Sequence, residues 1–225
     1  MKLIPIKLRL SNAYLMLGER PILIDTGSPG EGKTLVKILR QHGVAITDLS
    51  LILHTHVHSD HVGSTQALLA QAAVPVAFHQ DDLPLARHGT NGKLTGVGLR
   101  GRVMAPLFAN RPFDAPTADL WLTEGMRLDA YGVQGTVLHT PGHTPGSVSV
   151  LLDDGQAIVG DLLMGGYMGG ILWPTKPNPH YFTADLAQNR ASLQRILKLA
   201  THTLYVGHGG PLAADRVRRS LTIFD

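Results

Sequence analysis

The sequence predicts an α/β layered fold, and three observations carry that prediction. Between residues 21 and 78, short apolar strands alternate with stretches of helical periodicity, the β–loop–α–β pattern of a sheet covered by helices. A second run of short strands extends from Leu120 to Val159, followed by a helix and one more strand. Hydrophobic residues fill 44% of the 225 positions and charged residues only 16%, which suits a well-buried core and one domain spanning 1–225 rather than a disordered chain.

Leu3 to Leu10 alternates apolar and charged residues, as a half-buried strand does. Ala13 to Leu17 and Pro21 to Ile24 read as a hairpin about the turn Gly18-Glu-Arg20. The second strand runs into Asp25-Thr-Gly27, and Ser28-Pro-Gly30 then breaks the chain. Leu35, Ile38 and Leu39 recur at helical spacing up to about His42, with Gly43 as the stop. Leu51 to Leu53 is a short buried strand, Ala67, Leu68 and Ala70 mark a helix, and Val74 to Phe78 is a further strand. Residues 89–118 are punctuated by glycine and proline and read as a loop insertion able to lie over a site.

Later strands are expected at 120–122, 126–128, 135–138, 147–152 and 157–159, with Asp153-Asp-Gly155 as a hairpin turn. Gly165 to Gly170 and Pro174 to Pro179 read as loops. Leu186, Leu193, Ile196, Leu197 and Ala200 mark a helix, Leu204 to Val206 a final strand, and a short helix carrying Arg216, Arg218 and Arg219 follows.

The formal charge of +3 is too small to imply a nucleic-acid partner. No apolar run approaches the roughly 18 residues of a membrane span, and the N-terminus lacks the apolar region of a signal peptide, so a cytoplasmic location is the default expectation. Cysteine is absent, so a metal would have to be held by histidine and carboxylate. The chain has twelve histidines, and four of them, His54, His56, His58 and His61, fall with Asp60 directly after the strand 51–53.

Residues i and i+2 of an extended segment point the same way, so His56 and His58 can hold one ion together. Asp60 and His61 sit where the loop turns into a helix and can face a second. The remaining ligands are expected as isolated polar residues at later strand ends, and three fit: His143 in Thr140-Pro-Gly-His-Thr-Pro-Gly146, Asp161 after Ala157 to Gly160, and His208 after Leu204 to Gly207.

In these motifs and their order, with Asp25-Thr-Gly27 before them, the chain resembles the metallo-β-lactamase superfamily from about Leu3 to Pro211. The resemblance implies a four-layer αββα sandwich with two divalent ions, zinc first and iron or manganese as alternatives. It implies that His56, His58 and His143 hold one ion, that Asp60, His61 and His208 hold the other, and that Asp161 bridges them. Asp25 would steady a ligand by hydrogen bonds. The implied chemistry is hydrolysis of a small ester, thioester or lactone by a metal-bridging hydroxide, with Asp60 orienting it and shuttling its proton.

Only seventeen residues follow His208, too few for the helical domain of the full-length glutathione thioesterases. The lactonases of the superfamily place a tyrosine three residues after the bridging aspartate, where this chain has Met164. Two other classes compete: a single-iron persulfide dioxygenase, and an RNA-processing nuclease, whose basic arm with interleaved aromatics is lacking. The partner expected is a small molecule, with no nucleic acid and no membrane. Tyr167, Trp173 and His180 are candidates for lining the substrate pocket, with Lys176 beside them.

Arg100, Arg102 and Arg111 read as a solvated part of the insertion. His54 and His139 are expected to be structural, and His42, His79, His88 and His202 to lie at the surface or in hydrogen bonds. Gly96-Val-Gly-Leu-Arg-Gly101 matches a dinucleotide-binding spacing without the strand and helix that would give it meaning.

Overall fold

The structure, a computed structural model, describes residues 1–200 and 202–220; Thr201 and residues 221–225 of the expected 1–225 unit lie outside the described residues. The first half of the chain builds a six-stranded sheet from β1 (Lys2–Lys7), β2 (Asn12–Leu17), β3 (Pro21–Ile24), β4 (Leu51–Leu53), β5 (Val76–His79) and β6 (Leu120–Leu122), in that spatial order. β1, β2 and β3 pair antiparallel, with Leu3 opposite Met16 and Leu15 opposite Leu23. β3 to β6 pair parallel. Parallel neighbours need crossovers. These are supplied by α1 (Gly32–Gln41) between β3 and β4, by α2 (Ser59–Val62) and α3 (Thr65–Leu69) between β4 and β5, and by α4 (Leu83–His88) and α5 (Gly98–Phe108) between β5 and β6.

The second half builds a five-stranded sheet. Its strands are β7 (Gly135–His139), β8 (Val148–Leu152), β9 (Ala157–Ile158), β12 (Thr203–Tyr205) and β13 (Leu212–Ala213), in the order β13-β12-β9-β8-β7. A separate hairpin of β10 (Met164–Tyr167) and β11 (Leu172–Asn178) projects from it. Helices α6 (Leu186–Leu199) and α7 (Ala214–Arg219) complete the described chain.

The alternation of side chains along each strand produces four layers. On the first sheet, Leu15, Leu23 and Ile52 face a cluster that contains Leu35, Leu39 and Leu68 from α1 and α3. Their strand neighbours Tyr14, Met16, Ile22, Ile24, Leu51 and Leu53 face the opposite way, onto Val137, Val148, Val150 and Ile158 of the second sheet. The far face of that second sheet, through Leu138, Ala157 and Leu204, packs on Leu193, Ile196 and Leu197 of α6 and Val217 of α7. Three apolar clusters between helix, sheet, sheet and helix are the αββα sandwich.

Three stretches differ from the sequence reading. Residues 126–128 form no strand. Only Arg127 bridges Thr136, and Leu128 is drawn into the core by its amide bond to the Gly135 carbonyl. The two stretches read as loops, 165–170 and 174–179, contribute instead to the β10–β11 hairpin, where Gly165 and Pro177 stand opposite one another. The 89–118 stretch is not wholly a loop, because α5 runs through it with Pro106 inside its last turn. That helix begins at Gly98, within the glycine-spaced motif, but among the described residues what stands directly before it is an isolated bridge from Gly96 to Phe182 and not a strand. Among the described residues, no helix is long and apolar enough to cross a membrane.

Candidate metal centre

The histidine cluster lies where β4 ends and the chain turns into α2, at one edge of the two sheets. β4 has only three residues, all buried, so the segment from His54 to His58 leaves the core abruptly. His61 lies inside α2 and is buried. His143 lies in the turn between β7 and β8, Asp161 in a single 3-10 turn after β9, and His208 just after β12. The structure thus brings all seven residues to one place, from both sheets.

Asp161 is the hub. Its Oδ2 lies 3.8 Å from His56 Nε2, 3.5 Å from His61 Nε2, 3.6 Å from His143 Nε2 and 3.2 Å from His208 Nε2. His143 Nε2 is 3.0 Å from His58 Nδ1. Asp60 Oδ2 is 3.5 Å from His208 Nε2 and is the most exposed group of the set. The side chains fall into overlapping triplets, His56–His58–His143 on one side and Asp60–His61–His208 on the other. Asp161 stands with His56 and His61 between them.

Second hydrogen bonds fix which nitrogen faces inward. His61 Nδ1 donates to Asp25 Oδ2 at 2.8 Å, His143 Nδ1 to the Phe182 carbonyl at 2.7 Å, and His208 Nδ1 to the Leu10 carbonyl at 2.7 Å. Thr55 Oγ1 donates to Asp25 Oδ2 and therefore accepts from His56 Nδ1. Each Nε2 is left with its lone pair aimed at the centre, which is how metal-holding histidines are usually oriented.

Asp25 does more than steady His61. It takes a left-handed backbone conformation, φ 60°, which a short polar residue tolerates. Its carboxylate also accepts from the Thr55 amide at 2.9 Å, while His54 Nδ1 stands 3.6 Å away. His54 Nε2 is 3.0 Å from Thr65 Oγ1, so this histidine supports the site from behind without facing it.

The electrostatics follow from burial. Loss of water holds His56 and His143 well below the ordinary imidazole range, and neighbouring imidazoles add to the effect. His58 is lowered to about 4, mainly by burial. Burial disfavours the charged form of Asp161 as well, but His208, His180 and His61 outweigh it and hold the carboxyl well below its usual range. His61 and His208 are raised despite their burial, because Asp161 faces both and Asp25 or Asp60 adds to the field.

These residues fit metal ions. Among the described residues, His56 Nε2, His61 Nε2 and Asp161 Oδ1 are buried without a hydrogen-bond partner, an arrangement that is costly unless another group satisfies them. The backbone at Gly207 leaves room for them. A Cβ there would meet Asp161 Oδ1 and, at 2.8 Å, His61 Cε1, so only glycine lets the turn after β12 pass so close. Imidazole with carboxylate is a donor set suited to divalent first-row metals.

The three substrate-pocket candidates part company. His180, just after β11, is buried and points Nε2 at Asp161 Oδ2 from 3.2 Å, edge-on to the His143 ring. Tyr167 and Trp173 do not line the cleft over the centre. Tyr167 lies on the outer side of the hairpin, where its hydroxyl accepts from Lys176 Nζ and Arg100 sits over its ring at 5.0 Å, and Trp173 is 67% exposed.

Sequence reasoning missed Asp82. This carboxylate is fully buried and accepts from the Val57 amide at 2.9 Å, the Gly146 amide at 2.8 Å and Thr144 Oγ1 at 2.9 Å. It ties the loop of His56 and His58 to the loop of His143. An acidic residue just ahead of a helix signals only a cap, which hid its role. His79, expected at the surface or in a hydrogen bond, accepts from the Asp81 amide at 3.3 Å and, buried, stacks on His139 with ring centroids 3.9 Å apart.

A fold of two sheets between helices, with a histidine and aspartate centre at one edge, defines a class of metal-dependent hydrolases. The chain belongs to the metallo-beta-lactamase superfamily, whose family model matches residues 6–208. It is similar to the "Probable metallo-hydrolase YflN" of Bacillus subtilis, 28% identical over 95% of this chain and 86% of that protein. It is also similar to the "Probable metallo-hydrolase MJ0888" of Methanocaldococcus jannaschii, 30% identical over 88% of this chain and 87% of the other. Among solved structures, TTHA1623 in a di-iron-bound form superposes with a TM-score of 0.67 at 32% identity, covering 96% of this chain and 97% of that one. The B3 metallo-beta-lactamase BLEG-1 gives 0.68 at 25% identity, with 97% and 96% covered. The protein is accordingly an enzyme of the metallo-hydrolase class.

Proposed function

We propose that the protein hydrolyses a small ester, thioester or lactone at a centre for two divalent ions. His56, His58 and His143 would hold one ion, Asp60, His61 and His208 the other, and Asp161 both. The observation that carries this reading is the pair of triplets about Asp161, with the inward nitrogens left free by their outer hydrogen bonds. A single iron, as in a persulfide dioxygenase, would leave the Asp60–His61–His208 group without a purpose. Zinc is the expected metal, with iron or manganese compatible with the same donors.

Two divalent ions supply, when bound, a Lewis acid for the carbonyl oxygen and a water acidic enough to attack near neutral pH. The chain's own residues do the rest. Asp60 Oδ2 faces the cleft, accepts a hydrogen bond from the attacking water and takes its proton. As the carbon–oxygen or carbon–sulfur bond breaks, that proton passes to the leaving group. His180 Nε2 borders the same space and helps to fix the substrate's orientation. Apolar side chains over the centre keep bulk water away, which strengthens each of these interactions.

The test is a panel of lactones, thioesters, aryl esters and phosphodiesters, given to the protein with its metal content measured. Hydrolysis of carboxylic esters, thioesters or lactones is expected, with about two ions per chain. Asp161→Ala and His208→Ala are expected to lower bound metal and to abolish hydrolysis. Full activity in either variant, or one iron per chain with sulfite production, would overturn the reading.

A further inference from the structure

We infer that the substrate carries an uncharged aliphatic acyl chain, seated in the cleft between α5 and the β10–β11 hairpin. This rests on the ester, thioester or lactone reading above and names the substrate class within it. The cleft has a volume of about 380 Å³, within the ordinary range for a small-molecule site. At its floor lie His58, Asp60, Asp161, His180 and His208. Its walls are Leu94, Met104 and Phe108 from the α5 side and Met164, Met168 and Phe182 from the hairpin side. A group that reacts at the floor must therefore extend along apolar walls.

Most polar atoms of those walls are already committed. Asn91 accepts from the Ser59 amide at 2.7 Å and donates to the Phe108 carbonyl at 3.0 Å. The Tyr181 hydroxyl accepts from the Met168 amide at 3.1 Å and keeps a single O–H to donate. No lysine or arginine is among the residues that line the cleft. A phosphate, a carboxylate or a peptide-like tail would lose its water there for at most one hydroxyl donor and no cation, whereas a hydrocarbon chain needs no partner. Three methionines in the wall give a surface that adapts to a flexible chain. The mouth is open at Met168 and Ile171, 62% and 69% exposed, so the chain runs from the centre towards solvent.

The metal-loaded enzyme should be assayed with p-nitrophenyl acetate, butyrate, hexanoate and octanoate. The value of kcat/KM is expected to rise about three- to fourfold per added methylene, levelling where the chain reaches the mouth. Met104→Trp, which fills the cleft, is expected to collapse the ratio of octanoate to acetate turnover by at least about tenfold. Calorimetry gives a readout free of turnover: octanamide should bind the metal-loaded enzyme more tightly than butanamide by the same factor per methylene. Hydrolysis with a flat or falling chain-length series, or equal binding of the two amides, would overturn this inference. Absence of hydrolysis at every chain length, with octanamide still preferred, would overturn the hydrolase reading and leave the apolar chain site standing.

Discussion

Two buried aspartates act on the centre from outside it. Asp25 sets the tautomer of His61 and, through Thr55, that of His56. Asp82 joins the two loops that carry His56, His58 and His143. Burial raises the Asp82 carboxyl, and the three donors that face it only partly offset that. Truncation would leave the Val57 and Gly146 amides buried without an acceptor, each worth about 1–3 kcal/mol, while the Thr144 hydroxyl still has Ser147 Oγ at 2.8 Å. Asp82→Ala is therefore expected to lower stability by more than about 2 kcal/mol in urea unfolding and to weaken metal retention against a chelator. An unchanged unfolding midpoint would show that the loops are held by other means. Asp25 could be read in the sequence because it ends a strand in Asp-Thr-Gly. Asp82 could not, because its partners are 25, 62 and 64 residues away.

At the scale of elements, the legible ones are those whose pattern is set by a buried face. β2, β3 and β4 send alternate residues into two apolar cores, and α1 turns Leu35 and Leu39 inward. The hairpin β10–β11 lacks such a signature: five of the seven β11 residues are exposed, and Gly165, Pro174 and Pro177 read as breakers. Its pairing comes from the opposite strand, which no local pattern records. In α5, Gly98, Gly101 and Pro106 hide a helix whose inner side closes the cleft.

Helix α6 is tied to the segment after β6 and to the end of β7 by Arg195, which donates to Glu124 and, at 3.3 Å, to the His139 carbonyl. That hydrogen bond holds the Glu124 carboxyl below its ordinary range, with burial opposing. A carboxyl lowered in the folded state stabilises above its unfolded pKa and loses that contribution as pH falls through its folded value. Both side chains are about half exposed, so solvent screens the pair. Arg195→Met is expected to cost about 1 kcal/mol or less at neutral pH. The difference from the parent protein should vanish in acid, as checked by chemical denaturation across pH. A difference that persisted in acid would assign the loss to the arginine stem.

At the scale of the molecule, the ordering of strands into two sheets was not legible from periodicity, which marks a buried face but not its partner. The four layers were expected only because the motif order resembles that of a known family. The centre was more legible than the fold, since polar residues at the ends of apolar strands stand out wherever those strands go. His56, His58, Asp60 and His61 follow the first sheet, while His143, Asp161 and His208 follow strands of the second. Ions held by both sets, as proposed, would bind the folded state and not the unfolded one. At a hundredfold excess over the dissociation constant they add about 2.7 kcal/mol to stability. Chelation is expected to lower Tm by several degrees, with recovery when metal is restored. An unchanged Tm would mean that the two sheets hold together without help.

The placement of Asp161 and His208 also sets a clock. During synthesis the first sheet can pair as soon as β6 has emerged, yet it then presents only the donors that follow β4. The Asp161 carboxylate arrives some 100 residues after His61, and His208 later still, beside a glycine that lies against that carboxylate. No shorter nascent chain offers the full set. The full donor set is thus complete only in a chain whose two halves have met.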